Sequence, residues 1–562
     1  MHPGEQGSEA LSRRGFLGRA TGLGVTAAGI AAAGLREAIG PRPAAAQTTK
    51  KRELAVAQGG DISKLDPHFS TSSNDIRVSF NIFDNLTSRH PDGKLSPGLA
   101  TQWERTEPTT WRFELRQGVR WHNGDPFTSA DAKFSIERTY DPAAKTLVAT
   151  VFTTIERIEA PGPFSLVMHT KKPDPLLAAR LAFYGGQIVP RKYLEQVGPE
   201  AFNAKPVGTG PVRFISWTKD DRLVLEATPD YWGGKIDADR VTFRPIPETA
   251  PRVAALLKGE VDVISQLPPD EWSRVNQNPT TRGVGRLYAG LYVLAVNSKV
   301  KPLDNPLVKQ AMSLAIDRVA IVKDLFRGRG LVPNGPIAKG DNHYDPALPP
   351  LTYNPQRARE RLKEAGYKNE PITIETTVGY LANDKAMSEA IASMWKDVGL
   401  NPVVEVIEYS VRAQKNRERS FKGVFWSDPT STLGDPDGMM WRLLGPGGPQ
   451  DYWRLPEFDE LGNAARFSLD ETFRDEAYRK MTRIFLEHNP WIVVLQPDED
   501  AEPEPAVRGP PLQFPHAPPV APAPPGVPDA RPRRLPRLPA PPDADRPLAR
   551  LVGRLRGDAV VG

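Results

Sequence analysis

Apolar and charged positions alternate strictly over residues 111–116, which read W-R-F-E-L-R. This alternation predicts a strand with one buried face, built from the aromatic and aliphatic members of the run. A turn-forming segment, N-G-D-P, follows at residues 123–126. Thr128 or Ser129 can then cap a helix that runs from about residue 130. The pattern therefore predicts a strand, a turn and a helix in succession.

Strand and helix patterns alternate through the rest of the body of the chain. Further strand-like runs, many of them alternating or β-branched, are residues 53–58, 165–170, 222–227, 241–246, 261–265, 291–297, 372–377 and 403–407. Three helices have clear ends: one starts at Asn305 and Pro306, one starts at Asn354 and Pro355 and closes at Gly366, and one covers residues 384–398. No period of 20–50 residues recurs. These patterns predict a mixed α/β fold without internal repeats.

The N-terminal residues have the features of an export signal. Residues 12–17 read S-R-R-G-F-L, a twin-arginine motif, and a Gly/Ala-rich run extends to about residue 35. Three alanines at 44–46 offer a signal peptidase site. We expect residues 1–46 to be a twin-arginine (Tat) signal peptide, cleaved near Ala46 after passage through the Tat translocase. A membrane anchor fits less well, because the run is rich in glycine and closely followed by the cleavage site.

Composition excludes several classes of chemistry. The 562 residues contain no cysteine, so disulfides, iron–sulfur clusters, thiolate catalysis and a lipobox cysteine are excluded. We therefore expect a freely diffusing periplasmic protein. The net charge of +5 arises at the two ends, since residues 1–46 and 501–562 are basic and the body between them is neutral. The body thus lacks the basic footprint of a nucleic-acid-binding protein.

Residues 501–562 differ sharply in composition from the body. They contain 17 Pro, 10 Ala and 9 Arg, and they lack Ser, Thr, Lys and Ile. Such a composition cannot bury a core, which predicts a disordered tail. Pro, Ala, Arg and Gly are also the products of GC-rich codons. We therefore favour the interpretation that this segment is read out of frame.

Further landmarks, together with residues 111–138, carry a resemblance to a known family. They are residues 63–68, 95–104, 206–211, 231–232, 305–318, 435–438 and 458–461. In this order they resemble the family 5 extracellular solute-binding proteins, the peptide- and nickel-binding receptors of ABC importers. Val212 departs from the pattern, since a Tyr is usual there. The resemblance covers about residues 52–497.

The resemblance implies a two-lobed, hinged α/β fold of the periplasmic-binding-protein type II class, with an extra inserted domain. Domain I would combine residues 47–83, 205–297 and a return at 490–500. Domain II, the insertion, would be residues 84–204, and domain III would be residues 298–489. The ligand would lie between domains I and III, where closure about the hinge buries it.

The resemblance also implies residues that hold a peptide's amino terminus. In peptide-binding relatives an Asp that follows a Trp pairs with the ligand's amine. Here Asp428 follows Trp426 by two residues, displaced by one residue from that place, and is the first candidate; Asp435 is the second. A structural role is the alternative for both, because Asp commonly caps turns such as the one at Pro429. Trp426 could stack on the ligand or belong to the core.

Relatives bind the ligand's carboxylate through Arg, by bidentate charge-assisted bonds. Arg412, Arg417 and Arg419 lie on the segment before Trp426, and no spacing selects among them. Any of them can instead be a solvated surface Arg. Ser70 and Thr71, in a hydroxyl-rich loop, are further candidates for polar contacts.

We therefore predict a periplasmic substrate-binding protein of an ABC importer, a monomer that delivers small peptides to the transmembrane permease subunits. It would need no cofactor and perform no catalysis. The alternatives are the same receptor class with an opine, sugar, nickel or haem chelate as solute, and a Tat-exported hydrolase or cofactor enzyme. The histidines include no close metal-ligand pair, and no P-loop or G-x-S-x-G elbow occurs, which argues against the enzyme.

Overall fold

A computed structural model describes residues 52–70, 72–89, 93–149, 151–500 and 506–508. The expected signal peptide, Thr71 and all of the C-terminal tail except residues 506–508 lie outside these ranges. Within them, no helix combines the length and apolar character needed to cross a membrane.

The strands are numbered along the chain. They are β1 Glu53–Gln58, β2 Thr87–Arg89, β3 Leu95–Pro97, β4 Ala100–Glu107, β5 Thr110–Leu115, β6 Ile155–Gly162, β7 Ser165–Thr170, β8 Val212–Thr218, β9 Arg222–Ala227, β10 Arg240–Pro245, β11 Val263–Ile264, β12 Thr281–Arg282, β13 Gly285–Leu287, β14 Tyr292–Val296, β15 Gly330–Leu331, β16 Pro371–Thr376, β17 Asn401–Val406, β18 Val424–Ser427, β19 Trp491–Asp500 and β20 Ala506–Arg508.

The helices are numbered in the same way. They are α1 Ser73–Ile82, α2 Ser129–Tyr140, α3 Leu177–Leu181, α4 Arg191–Ala204, α5 Thr249–Lys258, α6 Trp272–Gln277, α7 Pro306–Leu314, α8 Arg318–Ala320, α9 Pro355–Ala365, α10 Asp384–Asp397, α11 Tyr409–Glu418, α12 Met440–Leu444, α13 Pro456–Arg466 and α14 Glu471–His488. Single turns of 3₁₀ helix lie at Pro67–Phe69 and Pro436–Gly438, and a π-helical turn lies at Ile321–Leu325.

Two seven-stranded sheets organise two lobes. The first sheet has the order β12-β20-β11-β1-β10-β9-β8, in which β1, β10 and β11 run parallel. The main path of the second is β13-β19-β14-β18-β16-β17, with β15 paired to β19, and here β16, β17 and β18 run parallel. Apolar clusters pack on both faces of the second sheet, which explains the continuous burial of β14 and β18.

A four-stranded antiparallel sheet, β4-β5-β7-β6, forms a third layer with its own apolar core. The sequence pattern predicts its central strand correctly, since Trp111, Phe113 and Leu115 are buried and the charged residues between them are exposed. The predicted helix follows as α2. Its N-cap is Thr128, which shares a capping box with Asp131.

The chain passes between the two large sheets twice. It leaves the first sheet after Arg282 and enters the second at Gly285, and it returns between Asp500 and Ala506. One contact joins the lobes beside these passages, because the Arg329 guanidinium lies 3.2 Å from the Trp272 ring centroid. Asp498 of β19 holds the same guanidinium from within the second lobe, at 2.7 Å. The passages have the position expected of a hinge.

Three residues of the composition-biased tail take part in the first sheet. Strand β20, Ala506–Arg508, pairs antiparallel with β11 and β12. The predicted disorder therefore does not extend to these residues. The physical reason is that sheet pairing uses backbone N–H and C=O groups, which any non-proline residue supplies.

Candidate functional site

Three parallel strands of the second sheet end side by side and expose polar groups at one edge. Asp428 follows β18, the loop 377–383 follows β16, and β17 ends at Val406. In open α/β sheets, ligands bind in the crevice outside the carboxyl ends of such strands. This edge is the candidate binding site.

Asp428 stands at the centre of this edge, and two side chains approach it. The Tyr380 hydroxyl donates a hydrogen bond to Asp428 Oδ1. The Arg412 guanidinium stacks over the Tyr380 ring, 3.4 Å from its centroid, and donates from Nη2 to the Trp426 carbonyl at 3.1 Å. Burial raises the pKa of Asp428, and the Tyr380 hydrogen bond and Arg412 only partly oppose that rise. A cation placed against this carboxylate would lower its pKa again and favour its charged form.

The loop that carries Tyr380 is held by one buried carboxylate. Asp384, at the start of α10, accepts from the Thr377 hydroxyl at 2.8 Å, from the Gly379 N–H at 3.1 Å and from the Tyr380 N–H at 2.9 Å. Three donors from one turn therefore converge on a single side chain that is 2 % exposed. Tyr380 is consequently presented to Asp428 by a fixed backbone.

The other side of the Asp428 loop is bonded to the short segment between β13 and β14. The Tyr288 and Thr430 hydroxyls are 2.5 Å apart, and the Leu291 N–H donates to the Pro429 carbonyl at 3.1 Å. Gly290 permits this approach, because a Cβ there would lie 2.6 Å from the Pro429 oxygen.

Asp435 is placed differently from what the sequence suggested as a ligand partner. Its side chain is 1 % exposed, and its Oδ2 lies 2.5 Å from Arg474 Nη2 and 3.4 Å from His343 Nε2. Its Oδ1 accepts from the Asp437 N–H at 3.0 Å. The expectation that Asp435 binds a ligand amine is therefore corrected: both oxygens are engaged inside the lobe, and the turn-capping alternative applies.

Asp437 continues this buried charge network toward the four-stranded layer. Its carboxylate lies 2.8 Å from Arg180 Nη2 and 3.4 Å from Arg466 Nε, and Arg180 also pairs with Asp174 at 3.1 Å. Leu433 packs nearby against Leu176 and other apolar residues of that layer. The D-P-D motif therefore serves as a buried joint between the second lobe and the insertion.

Trp426 lies in the core, with 1 % of its surface exposed. Its indole N–H donates to the Ser388 hydroxyl at 2.7 Å, and its ring belongs to the apolar cluster between β18 and α10. Stacking on a ligand is therefore excluded in this structure, since no face of the ring is open. Of the two roles that the sequence left open, the core role applies.

The three arginines are separated by the geometry of α11. Arg412, in its first half, points toward Tyr380, whereas Arg417 lies exposed near the helix end. Arg419 caps the helix with φ +52° and donates to the Gly447 carbonyl at 2.6 Å. The structure brings Arg412 to Asp428 and directs Arg419 elsewhere.

Ser70 faces inward on the first lobe. It is 6 % exposed, its hydroxyl donates to the Asp75 carboxylate, and it accepts from the Ser72 N–H at 3.1 Å. Its hydroxyl is thus used to shape the start of α1, which corrects the expectation that it contacts ligand. Thr71 lies outside the described residues.

Sequence reasoning missed Tyr380 and Asp384. The available signal was the run T-V-G-Y directly after a predicted strand, because side chains just beyond a parallel strand reach the binding edge. Among the residues that the structure describes, no group of three or more His, Cys, Asp or Glu side chains is arranged to hold a metal ion.

The sequence of this chain is similar to those of known proteins. The family model for bacterial extracellular solute-binding proteins, family 5 (middle), matches residues 94–451. The di/tripeptide-binding protein 2 of Pseudomonas aeruginosa strain UCBPP-PA14 is 27 % identical over 488 residues, which are 81 % of this chain and 91 % of that protein.

Two solved structures share the fold. The periplasmic binding protein DppA of Helicobacter pylori, in complex with the peptide STSA, superposes with a TM-score of 0.71 at 24 % identity, over 80 % of this chain and 93 % of its own. AgaA from A. tumefaciens R10, in complex with agropinic acid, gives a TM-score of 0.69 at 26 % identity, over 81 % and 93 %. The predicted two-lobed α/β fold is confirmed by these neighbours.

The family match spans well over half of the chain and includes the binding edge. Members of this family are substrate-binding proteins of transport systems and act outside the cytoplasm, which confirms the predicted receptor class. The chain belongs to the bacterial extracellular solute-binding proteins, family 5.

Proposed function

We propose that this receptor binds a small peptide, or another solute with a free amine, between its two lobes and delivers it to an ABC permease. The observation that carries the proposal is Asp428, a half-buried carboxylate at the binding edge. Tyr380 engages its Oδ1, and the Arg412 guanidinium stacks on the Tyr380 ring. An ammonium group is the partner that this carboxylate is built to accept.

Arg412 is the proposed partner of the ligand's carboxylate. Its guanidinium donates from Nη2 to the Trp426 carbonyl at 3.1 Å and is half-buried beside Asp428. The planar guanidinium keeps further N–H groups on its other edges, which suits a carboxylate. Amine and carboxylate partners thus stand on one wall, on either side of Tyr380.

A non-peptide solute is the second candidate. The supporting observation is that the site offers one carboxylate, Asp428, and one guanidinium, Arg412, which equally suit a small solute with one amine and one carboxylate. The similar fold of AgaA, whose structure holds agropinic acid, supports the same class of alternative.

The cellular route completes the proposal. Residues 1–46 would be removed as a Tat signal, and the mature monomer would act in the periplasm. The insertion at 84–204 given by the resemblance remains part of the proposal. The bounds of the second lobe differ from the expected 298–489, because β13, β14 and β19, which cover residues 285–296 and 491–500, pair in the second sheet rather than in the first.

The test is mass spectrometry of ligand released from the purified receptor, first intact and then denatured. A ladder of peptide masses supports the peptide cargo. One discrete non-peptide mass would replace the peptide with the second candidate, and turnover of added peptides would contradict the receptor role.

A further inference from the structure

Apolar side chains are exposed beside Asp428 in unusual number. Of the ten large apolar side chains exposed in the described part of the chain, five lie between residues 378 and 411. Val378 is 73 % exposed, Tyr409 62 % and Val406 54 %. Protein surfaces rarely concentrate apolar groups in this way unless an interaction partner covers them.

Val378, Val406 and Tyr409 lie near the strand ends where Asp428 stands. Val406 is paired with Thr376 in the sheet, and the Ile407 N–H donates to the Thr376 carbonyl at 2.8 Å. Val378 follows Thr376 by two residues. The rings of Tyr380 and Tyr409 lie 6.3 Å apart. We call Val378, Tyr380, Val406 and Tyr409 the apolar wall.

The apolar wall is held rigidly for an exposed surface. Its loop portion is fixed by the three donors that converge on Asp384, and Val406 is fixed by its strand. A surface that is already shaped loses little conformational entropy when a ligand covers it. The wall is therefore suited to select among ligands rather than to adapt to all of them.

We propose that the apolar wall selects ligands in which an apolar group flanks the protonated amine, such as peptides whose first residue is apolar. The inference rests on the proposed function, since it places the amine at Asp428. Charge complementarity identifies the occupant: a ligand that covers the wall also brings its cation to the carboxylate beside it. A solute without an apolar neighbour to its amine would leave the wall in water.

The test compares two dipeptides, Leu-Ala and Gly-Ala, by isothermal titration calorimetry. Both carry the same amine and carboxylate, so the Asp428 contribution cancels in the ratio of their affinities. The wild-type receptor should bind Leu-Ala about 10-fold more tightly. The double variant Val378→Ser/Val406→Ser should reduce that ratio to below about threefold, because it removes apolar surface from the wall.

Val403→Ser is the matched control. Val403 lies on the same strand as Val406 and is 42 % exposed, but the odd spacing places it on the opposite face of the sheet. This variant should keep the wild-type ratio. All three valines are exposed, and the thermal midpoint of each variant checks that folding is unchanged.

The outcomes separate the two proposals. Equal wild-type affinities for Leu-Ala and Gly-Ala would overturn the wall's selectivity and leave the peptide receptor standing. A ratio that survives in the double variant would also overturn it, and would favour a protein partner for the wall. If neither peptide binds, the peptide cargo fails, and the selectivity that rests on it fails as well.

Discussion

Asp428 and Asp435 lie seven residues apart in one segment, and the molecule uses them in opposite ways. Asp435 is 1 % exposed, and Arg474 and His343 occupy one of its oxygens. Although burial opposes the shift, the hydrogen bond from His343 and the charge of Arg474 hold the pKa of Asp435 below its usual range. Asp428 is half-buried, and its pKa is raised.

The comparison shows that the role of a carboxylate depends on its partner in the structure and does not follow from its sequence motif. A buried carboxylate whose cations are built into the protein contributes to structure, since every lone pair is already satisfied. A carboxylate whose hydrogen-bond partner in the protein is a neutral hydroxyl has no directly paired cation. Asp435 thus belongs to the joint between layers, and Asp428 is the group left for a ligand.

The largest expected effect is a loss of stability when Asp435 is substituted. Asp435→Asn should lower the free energy of unfolding by about 3–5 kcal/mol, because it removes the buried counter-charge of Arg474 and leaves only the exposed Glu471 beside it. Urea denaturation followed by circular dichroism measures this loss. Asp428→Asn serves as the control and should change stability by less than about 1 kcal/mol. A stability of Asp435→Asn equal to wild type would contradict the assignment.

The second largest expected effect is a loss of ligand affinity when Asp428 is substituted. Asp428→Asn should weaken binding of a ligand with a free amine by about 1.5–3 kcal/mol, the range for a charge-assisted hydrogen bond. Calorimetry with the ligand recovered from the receptor gives the dissociation constant. An unchanged constant would remove Asp428 from the site.

The third expected effect distinguishes Arg412 from Arg417 by the affinity for a ligand with a carboxylate. Arg412→Gln should weaken binding of a carboxylate-bearing ligand by about 1–3 kcal/mol, because it removes a guanidinium beside Tyr380. Arg417→Gln, on the exposed end of the same helix, is the matched control and should bind as wild type does. Equal losses in both variants would point to a general charge effect and count against a specific contact.

The smallest effect is the pH dependence of the Asp435 network. Burial lowers the pKa of His343, but its hydrogen bonds with Asp435 and Asp475 outweigh burial and raise that pKa above 6.5. The stabilisation from protonated His343 is thus complete below pH 6.5 and is lost as pH rises through the raised pKa.

Wild-type stability should therefore fall as pH rises above 6.5, by less than about 1.4 kcal/mol per pH unit, the limit for one proton. His343→Gln should flatten that slope when the free energy of unfolding is measured between pH 6 and 9. A slope that is the same in both proteins would assign the pH dependence to other groups.

Much of the fold follows from local sequence patterns. The strand over residues 110–115, the Thr128 cap and the helix that ends before Gly366 depend on neighbours in sequence, so alternation and capping predict them. The tail strand β20 could not be predicted, because its pairing is formed by backbone groups distant in sequence.

The site is less accessible to sequence reasoning, because it depends on which side chains face each other. Asp428 was identified through the family motif, but the choice between Arg412 and its neighbours required the turn of α11. The sequence leaves two roles for Trp426, stacking on a ligand or packing in the core, and the structure shows that α10 covers it. Arg474, which pairs with Asp435, lies 39 residues away in the chain, so no local sequence pattern predicts the pair.

The most direct measurement of the central claim is a binding cycle with a peptide and its N-acetylated form, on wild type and on Asp428→Asn. Acetylation removes the amine's charge. If Asp428 pairs with the ligand's amine, acetylation should weaken binding to wild type by at least about 10-fold and have little effect on the variant, because the charge it removes then has no partner. Equal losses in both proteins would contradict the pairing of Asp428 with the ligand's amine.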